Sequence, residues 1–151
     1  MIKIITVGSI KEKYLKDAIA EYQKRLRKYR EVEILEVKDE GILPPVQAME
    51  KEAEKIKKYI SEKDYIITLE IEGKQLTSEQ FSKKLEDIMI SNSNITFIIG
   101  GSYGIDKSIK EISKYHLSFS KMTFPHQLFR VLLLEQIYRA YKIMNNESYH
   151  K

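Results

Sequence analysis

The spacing of apolar residues in this chain switches from every second residue to every third or fourth, and back again, along its whole length. That alternation confines the fold to an α/β architecture. Ile2–Val7 is a β-branched run closed by Gly8, the pattern of a buried strand. Leu15, Ala18, Ile19, Tyr22 and Leu26 then recur at helical spacing. Val32–Val37 reads as a second strand, and Lys38–Val46, with Gly41 and Pro44-Pro45, as a loop. Met49, Ala53, Ile56 and Ile60 mark the next helix, and Tyr65–Ile71 a strand ending in a Glu72-Gly73-Lys74 turn. Thr77 with Gln80 forms a capping-box signature ahead of a helix along Phe81, Leu85 and Ile88. Ile95–Ile99 is wholly apolar, as in a strand covered on both faces. Gly100–Gly104 is a glycine-rich loop, and a short helix follows through Ile109 and Ile112. Leu117–Ser120 is a last strand, and Pro125 opens a helix to about Met144. Such a succession predicts a mostly parallel sheet of roughly five strands with helices on both faces, in a single domain spanning residues 1–151.

Composition removes several kinds of chemistry. The chain has no cysteine, which excludes a disulfide framework, thiolate metal sites and a cysteine nucleophile. No apolar run approaches the roughly 20 residues of a membrane helix, and MIKIITVGSI lacks the features of a signal peptide, so we expect a cytoplasmic protein with no membrane partner. The net charge of +4 is too mild to identify a polyanion partner by itself. Its distribution is more telling: Lys11–Arg30 holds eight basic and three acidic residues. That stretch reads either as a solvated helix face or as a phosphate-contacting patch.

Ligands of parallel sheets bind beyond the carboxyl ends of the strands. The first strand–helix turn, Val7-Gly8-Ser9-Ile10, has one glycine and lacks the dinucleotide fingerprint. The loop from Gly100 to Ser108 is a near miss to a phosphate-binding loop, with Asp106 where glycine is required. A carboxylate there would obstruct and repel a phosphate. Gly100, Gly101 and Gly104 nevertheless exceed what one tight turn needs, which points to a ligand approaching bare backbone. Phe119–His126 follows the next strand and falls at the same sheet edge, with hydroxyls, backbone groups and apolar side chains suited to an adenine edge. On the terminal helix, Glu135, Gln136, Arg139 and Lys142 share a polar stripe, while Arg130 points among apolar residues and needs an anion, a carbonyl cluster or a route to water. The rest of that helix is so apolar that we expect it to be covered by a second copy of the chain. The tail, Glu147–Lys151, is either a frayed end or an aromatic and cationic platform for a base.

FIIGGSYG (Phe97–Gly104), LSFSKMTFPHQLFRVLLLEQIYRAYKIM (Leu117–Met144) and the terminal Tyr149-His150-Lys151 together resemble the RlmH (formerly YbeA) family of SPOUT-class methyltransferases. The likeness extends over the whole chain, including Val7-Gly8 and TLEIEGK (Thr68–Lys74); the Lys38–Gln47 connection is shorter than the family's usual one. The resemblance implies an α/β knot, a SPOUT fold whose C-terminal part is a trefoil knot. It implies S-adenosyl-L-methionine as methyl donor, no metal, and cofactor contacts at Leu69, Gly100, Phe119, Ser120, Lys121, Met122, Thr123 and Phe124. It further implies a homodimer acting on N3 of a pseudouridine in 23S rRNA within the assembled ribosome. Methylating an imide nitrogen requires removal of its proton and stabilisation of charge on the flanking oxygens. On that chemistry His126, Glu135 or His150 is the candidate base, Arg130 or Arg139 the oxygen-stabilising cation, and Tyr149 a residue that positions the base. Two alternatives remain: a SPOUT methyltransferase with another RNA base as target, and a non-catalytic protein that binds S-adenosylmethionine.

Overall fold

The computed structural model describes all residues from 1 to 151. Ten elements alternate along the chain: β1 (Ile2–Val7), α1 (Lys13–Leu26), β2 (Val32–Val37), α2 (Pro45–Lys57), β3 (Asp64–Gln75), α3 (Ser78–Ser91), β4 (Asn94–Ile99), α4 (Lys107–Ile112), β5 (Tyr115–Ser118) and α5 (His126–Met144). The strands form one sheet in the order β2-β1-β4-β3-β5, and every adjacent pair is parallel. Right-handed crossovers decide which face each helix covers. The connections that step towards β2, through α1 and α3, lie on one face. Those that step towards β5, through α2 and α4, lie on the other.

Strand β4 shows the two-faced burial that its sequence predicts. Ile95, Phe97 and Ile99 join a cluster with residues of α1, α3 and α5, whereas Ile98 joins a second cluster with α2 and α4. The first cluster holds 17 buried residues and the second nine, because α5 adds a third helix to the first face. Leu133, Leu134 and Ile137 of α5 are fully buried there, each worth roughly 1.5–3 kcal/mol relative to an exposed side chain. Helix α3 starts on the expected capping box: Thr77 Oγ1 accepts from Gln80 N at 3.1 Å, and Gln80 Oε1 accepts from Thr77 N at 2.9 Å.

Helix α2 starts at Pro45, inside the stretch read as a loop, and ends at Lys57, short of Ile60; two strand boundaries also differ from the sequence reading. β3 does not end in a turn at Gly73 but continues to Gln75, with a bulge in which Leu69 and Lys74 both oppose Leu117 of β5. Gly73 serves close packing: a Cβ there would lie 2.8 Å from the backbone of His116 and Leu117. Correspondingly, β5 begins at Tyr115 and ends at Ser118, earlier than expected, because it pairs with both limbs of the bulge.

Arg130 ties the terminal helix to the opposite side of the sheet. It is 1% exposed, donates from Nη1 to Glu36 Oε2 at 2.6 Å, and donates from Nη2 to the carbonyls of Val7 (3.2 Å) and Gly8 (2.8 Å). Gly8 takes φ +92°, a conformation that favours glycine, and its N–H donates to Val37 O at 2.8 Å. The carbonyl cluster that the sequence required for this guanidinium is therefore the end of β1. Replacing Arg130 with Ala removes three charge-assisted bonds and takes the arginine's donors from the Val7 carbonyl, at a buried bond, and the Gly8 carbonyl, at a partly buried one. The expected loss is about 3 kcal/mol of unfolding free energy, read as a lower urea midpoint at unchanged slope. A loss under about 1 kcal/mol would show that α5 is held by packing alone.

Candidate functional site

A cavity of about 450 Å3 opens beyond the carboxyl ends of β3, β4 and β5, the place where parallel sheets bind ligands. Its volume lies within the roughly 300–1,000 Å3 of small-molecule and cofactor sites. The two loops singled out in the sequence, Gly100–Ile105 and Ser118–Phe124, supply most of its wall. Of the expected cofactor contacts, Leu69, Gly100, Phe119, Ser120, Met122, Thr123 and Phe124 line it. Lys121 does not. Ser120 Oγ accepts from Met122 N at 3.0 Å, and the tight turn this makes leaves Lys121 exposed.

The glycine loop has a structural reason beyond ligand access. A Cβ on Gly100 would lie 2.7 Å from the backbone of Gly104, and one on Gly101 would lie 3.0 Å from Val7 Cγ1 and 3.1 Å from Glu52 Oε1. Gly104 has φ +93°. Close packing and backbone conformation thus account for all three glycines, so their number alone is no sign of a ligand. The cavity beside them is. Asp106 caps α4, accepting from Ser108 N at 3.0 Å and Ser108 Oγ at 2.5 Å. The Ser108 bonds hold its carboxyl below the usual carboxylate range, against partial burial. An ionised cap in that position agrees with excluding a phosphate loop.

One side of the cavity is aromatic. Phe119 and Phe124 pack on Phe129, with ring centroids 4.9 and 5.9 Å apart. Elsewhere the wall carries Glu70, Glu72, Lys110 and His126. Glu70 Oε2 accepts from Thr68 Oγ1 at 2.6 Å and contacts His116 Nδ1. Burial opposes the charge on Glu70, but the bonds from Thr68 and His116, with Lys110 near, hold its carboxyl below the ordinary value. Sequence reasoning missed Glu70 and Lys110. Their signal was faint: in TLEIE, Thr68 and Glu70 alternate onto one sheet face at the carboxyl end of an interior strand.

The candidate catalytic residues fall into three places. His126, the first residue of α5, lines the cavity. Glu135, Arg139, Tyr149 and His150 form a separate cluster where the tail folds back on α5. Glu135 accepts from Arg139 Nε and Nη2, both at 3.1 Å, and from Tyr149 OH at 2.6 Å. Arg139 Nη1 donates to His150 Nδ1 at 3.0 Å, and His150 Nε2 contacts the Glu79 carboxylate. Since a guanidinium only donates, His150 Nδ1 is the acceptor in that bond. The Arg139 guanidinium lies 4.7 Å over the Tyr149 ring, which meets Tyr138 edge-on at 5.0 Å. Burial, and the bond to Glu135, push the Tyr149 phenol well above its usual range. The tail is thus bonded in place against α5 and is not a frayed end. Arg130 requires a correction: its buried guanidinium bonds through Nη1 and Nη2 to Glu36, Val7 and Gly8, its Nε has no partner, and it is not part of the cavity wall, so it does not face the cavity as an oxygen-stabilising cation.

Comparison with known proteins gives consistent relatives. A family model described as "Predicted SPOUT methyltransferase" matches residues 1–150. The chain is 55% identical over 159 residues to ribosomal RNA large subunit methyltransferase H of Bifidobacterium adolescentis, covering 99% of each chain. It is 52% identical over 157 residues to the protein of the same name from Ruminiclostridium cellulolyticum, again covering 99% of each. Among solved structures, one described as a "probable methylase family protein" from Haemophilus influenzae Rd KW20 superposes with a TM-score of 0.56 at 14% identity. That match covers 99% of this chain and 70% of the other, a likeness of fold. No helix is long and apolar enough to cross a membrane.

The packing around Gly100 makes the loop testable. Gly100→Ala forces a methyl group against the Gly104 backbone, and the expected cost is about 2 kcal/mol of stability, measured by urea unfolding. An unchanged midpoint would mean that the loop yields freely and does not fix the cavity wall.

Proposed function

We propose, on the premise that this chain belongs to the SPOUT methyltransferase family, that it transfers a methyl group from S-adenosyl-L-methionine to N3 of a pseudouridine in 23S rRNA, acting in the cytoplasm on the assembled ribosome. The observation that carries this reading is the cavity at the strand ends, formed by two loops that match the family's pattern, with a bonded acid–base cluster between α5 and the tail. The cavity fits the cofactor: Phe119, Phe124 and Phe129 offer an apolar wall to a nucleobase, and Glu70 with Lys110 marks a charged end. Leu69, Gly100 and the Phe119–Phe124 run would hold it. When bound, S-adenosylmethionine supplies an electrophilic methyl group on a sulfonium, chemistry that calls for neither a metal nor a covalent enzyme intermediate.

The protein's own residues then have two tasks, taking the acceptor nitrogen's proton and stabilising charge on the flanking carbonyl oxygens. Arg139, held flat by Glu135 and Tyr149, is the cation for those oxygens. His126 stands at the cavity, whereas Glu135 and His150 belong to the tail cluster. Along α5, His126 and Arg139 are 13 residues apart, or about 20 Å at 1.5 Å per residue. One chain therefore holds two separated halves. A two-fold partner whose α5 runs antiparallel would bring the tail cluster of one copy to the cavity of the other. The homodimer reading has further support in α5 itself, where Leu128 is 38% exposed and Phe129, Val131, Leu132 and Ile143 are half-buried.

The single-domain trefoil knot belongs to the same proposal. Its support is that the chain leaves the sheet at edge strand β5, yet α5 returns to pack against both α1 and α3. RNA contact is supported by α1: Lys13 pairs with Asp17 and Arg25 with Glu21, but Lys16, Lys24 and Arg27 stand exposed. A surface this small gains specificity when the ribosome supplies the shape around the target.

The test is methyl transfer from labelled S-adenosylmethionine to intact ribosomes, separated large subunits and naked 23S RNA, all lacking the modification, with the product nucleoside identified by mass spectrometry. N3-methylpseudouridine, mainly on intact ribosomes, is the expected product. A different methylated base would redirect the substrate assignment, and cofactor binding without any product would make the protein a non-catalytic binder. In the same assay Arg139→Ala and Tyr149→Phe are expected to lower the rate, the former by about a hundredfold, with cofactor affinity within about twofold of wild type. Rates within threefold of wild type for both would remove the tail cluster from the mechanism.

A further inference from the structure

Two opposite charges in the cavity wall form a loose ion pair without a hydrogen bond between them. Glu70 Oε1 lies 3.6 Å from Lys110 Nζ, beyond the roughly 2.7–3.2 Å of an N–H···O hydrogen bond. The two carboxylate oxygens of Glu70 are unlike. Oε2 is held from β3 by Thr68, which is itself fully buried, and from β5 by His116. Thr68 Oγ1 is in turn 2.8 Å from Ser113 Oγ, so the network reaches the start of β5. Glu70 is therefore fixed in position, with its side chain only 12% exposed, and Oε1 retains acceptor capacity towards the cavity. Lys110 comes from α4, its side chain is 40% exposed, and it forms no closer ion pair.

A lone carboxylate would suit a cation and a lone ammonium an anion. A fixed carboxylate beside an ammonium that pairs with it only loosely suits a ligand carrying both charges a few bonds apart. Resting on the cofactor reading above, we infer that Glu70 and Lys110 form the subsite for the α-amino-acid end of S-adenosylmethionine. Glu70 Oε1 accepts from its ammonium, and Lys110 donates to its carboxylate. The adenosine end is left to the aromatic wall and the two backbone loops. The bulge in β3 is what makes this arrangement possible. It releases residues 70–73 from pairing with β5 just where the strand passes the cavity. Glu72, exposed on the same segment, also lines the cavity and adds to its negative charge.

The test compares two ligands on the full chain by calorimetry. S-adenosylhomocysteine carries the amino-acid end; 5′-methylthioadenosine keeps the adenosine and the sulfur and lacks that end. Glu70→Gln is expected to weaken S-adenosylhomocysteine by about tenfold or more, and the half-exposed Lys110→Met by about three- to fivefold. Both variants should bind 5′-methylthioadenosine within twofold of wild type. Equal losses for both ligands would show that Glu70 only shapes the cavity, and no loss for either would show that the pair does not touch the ligand; each result overturns the inference. Lys110→Met keeps the test sound if Glu70→Gln loosens the network under it. Wild-type protein that binds neither ligand would overturn the cofactor reading and this inference with it. Binding of both ligands with no discrimination in the variants would overturn the inference alone.

Discussion

The arrangement depends on one buried guanidinium. Arg130 sits one turn into α5 and bonds to the carbonyls that end β1 and to Glu36 of β2. Those carbonyls lie where the chain leaves the sheet, the Val7 bond buried and the Gly8 bond partly so, and Arg130 supplies them with donors. Arg130 thus satisfies the end of the first strand with the last helix, joining the two ends of the sequence. It also fixes the start of α5, and with it His126, Phe124 and Phe129 in the cavity wall. A lysine offers a point charge and could not span these acceptors as a planar fork does.

From that anchor the rest of the site follows by geometry. α5 runs over the larger apolar cluster, so its buried stripe is Leu133, Leu134, Ile137 and Tyr141, and its other side carries Glu135 and Arg139. The tail then turns back at Asn146, which takes φ 53°, and Tyr149 and His150 meet that polar side. Lys142 and Tyr29 hold Glu147 on the way, at 3.0 and 2.8 Å. The tail's order is therefore electrostatic and aromatic more than apolar. On the other flank, the β3 bulge opens the sheet edge where the cavity needs a polar wall.

Much of this was legible in the amino acids. The strand and helix spacings, the capping box at Thr77 and the two loops beyond β4 and β5 all rest on local rules, and the structure follows them. Arg130 was legible as a demand, since a guanidinium among Leu134, Ile137 and Tyr141 must find acceptors, though nothing local said which. The glycine loop was located correctly for an incomplete reason: the glycines answer to Gly104 backbone, Val7 and Glu52, contacts made only after folding. Gly73 misled for a related cause, because a glycine needed for close approach looks in sequence like a glycine needed for a turn. Glu70 and Lys110 were not legible, lying 40 residues apart with ordinary neighbours.

By itself the sequence determined the alternating α/β class, the end of each strand from which a ligand site had to be built, and the polar and apolar sides of the last helix. These follow from periods of two and 3.6 residues, which every segment expresses within a dozen positions. Only the tertiary structure decided that Arg130 holds the fold together instead of facing the cavity, that the tail is bonded to α5, and that Glu70 and Lys110 share one wall. Each depends on which strand lies next to which. The order β2-β1-β4-β3-β5 is a global compromise between handed crossovers and the burial of two apolar faces, and no single segment carries it.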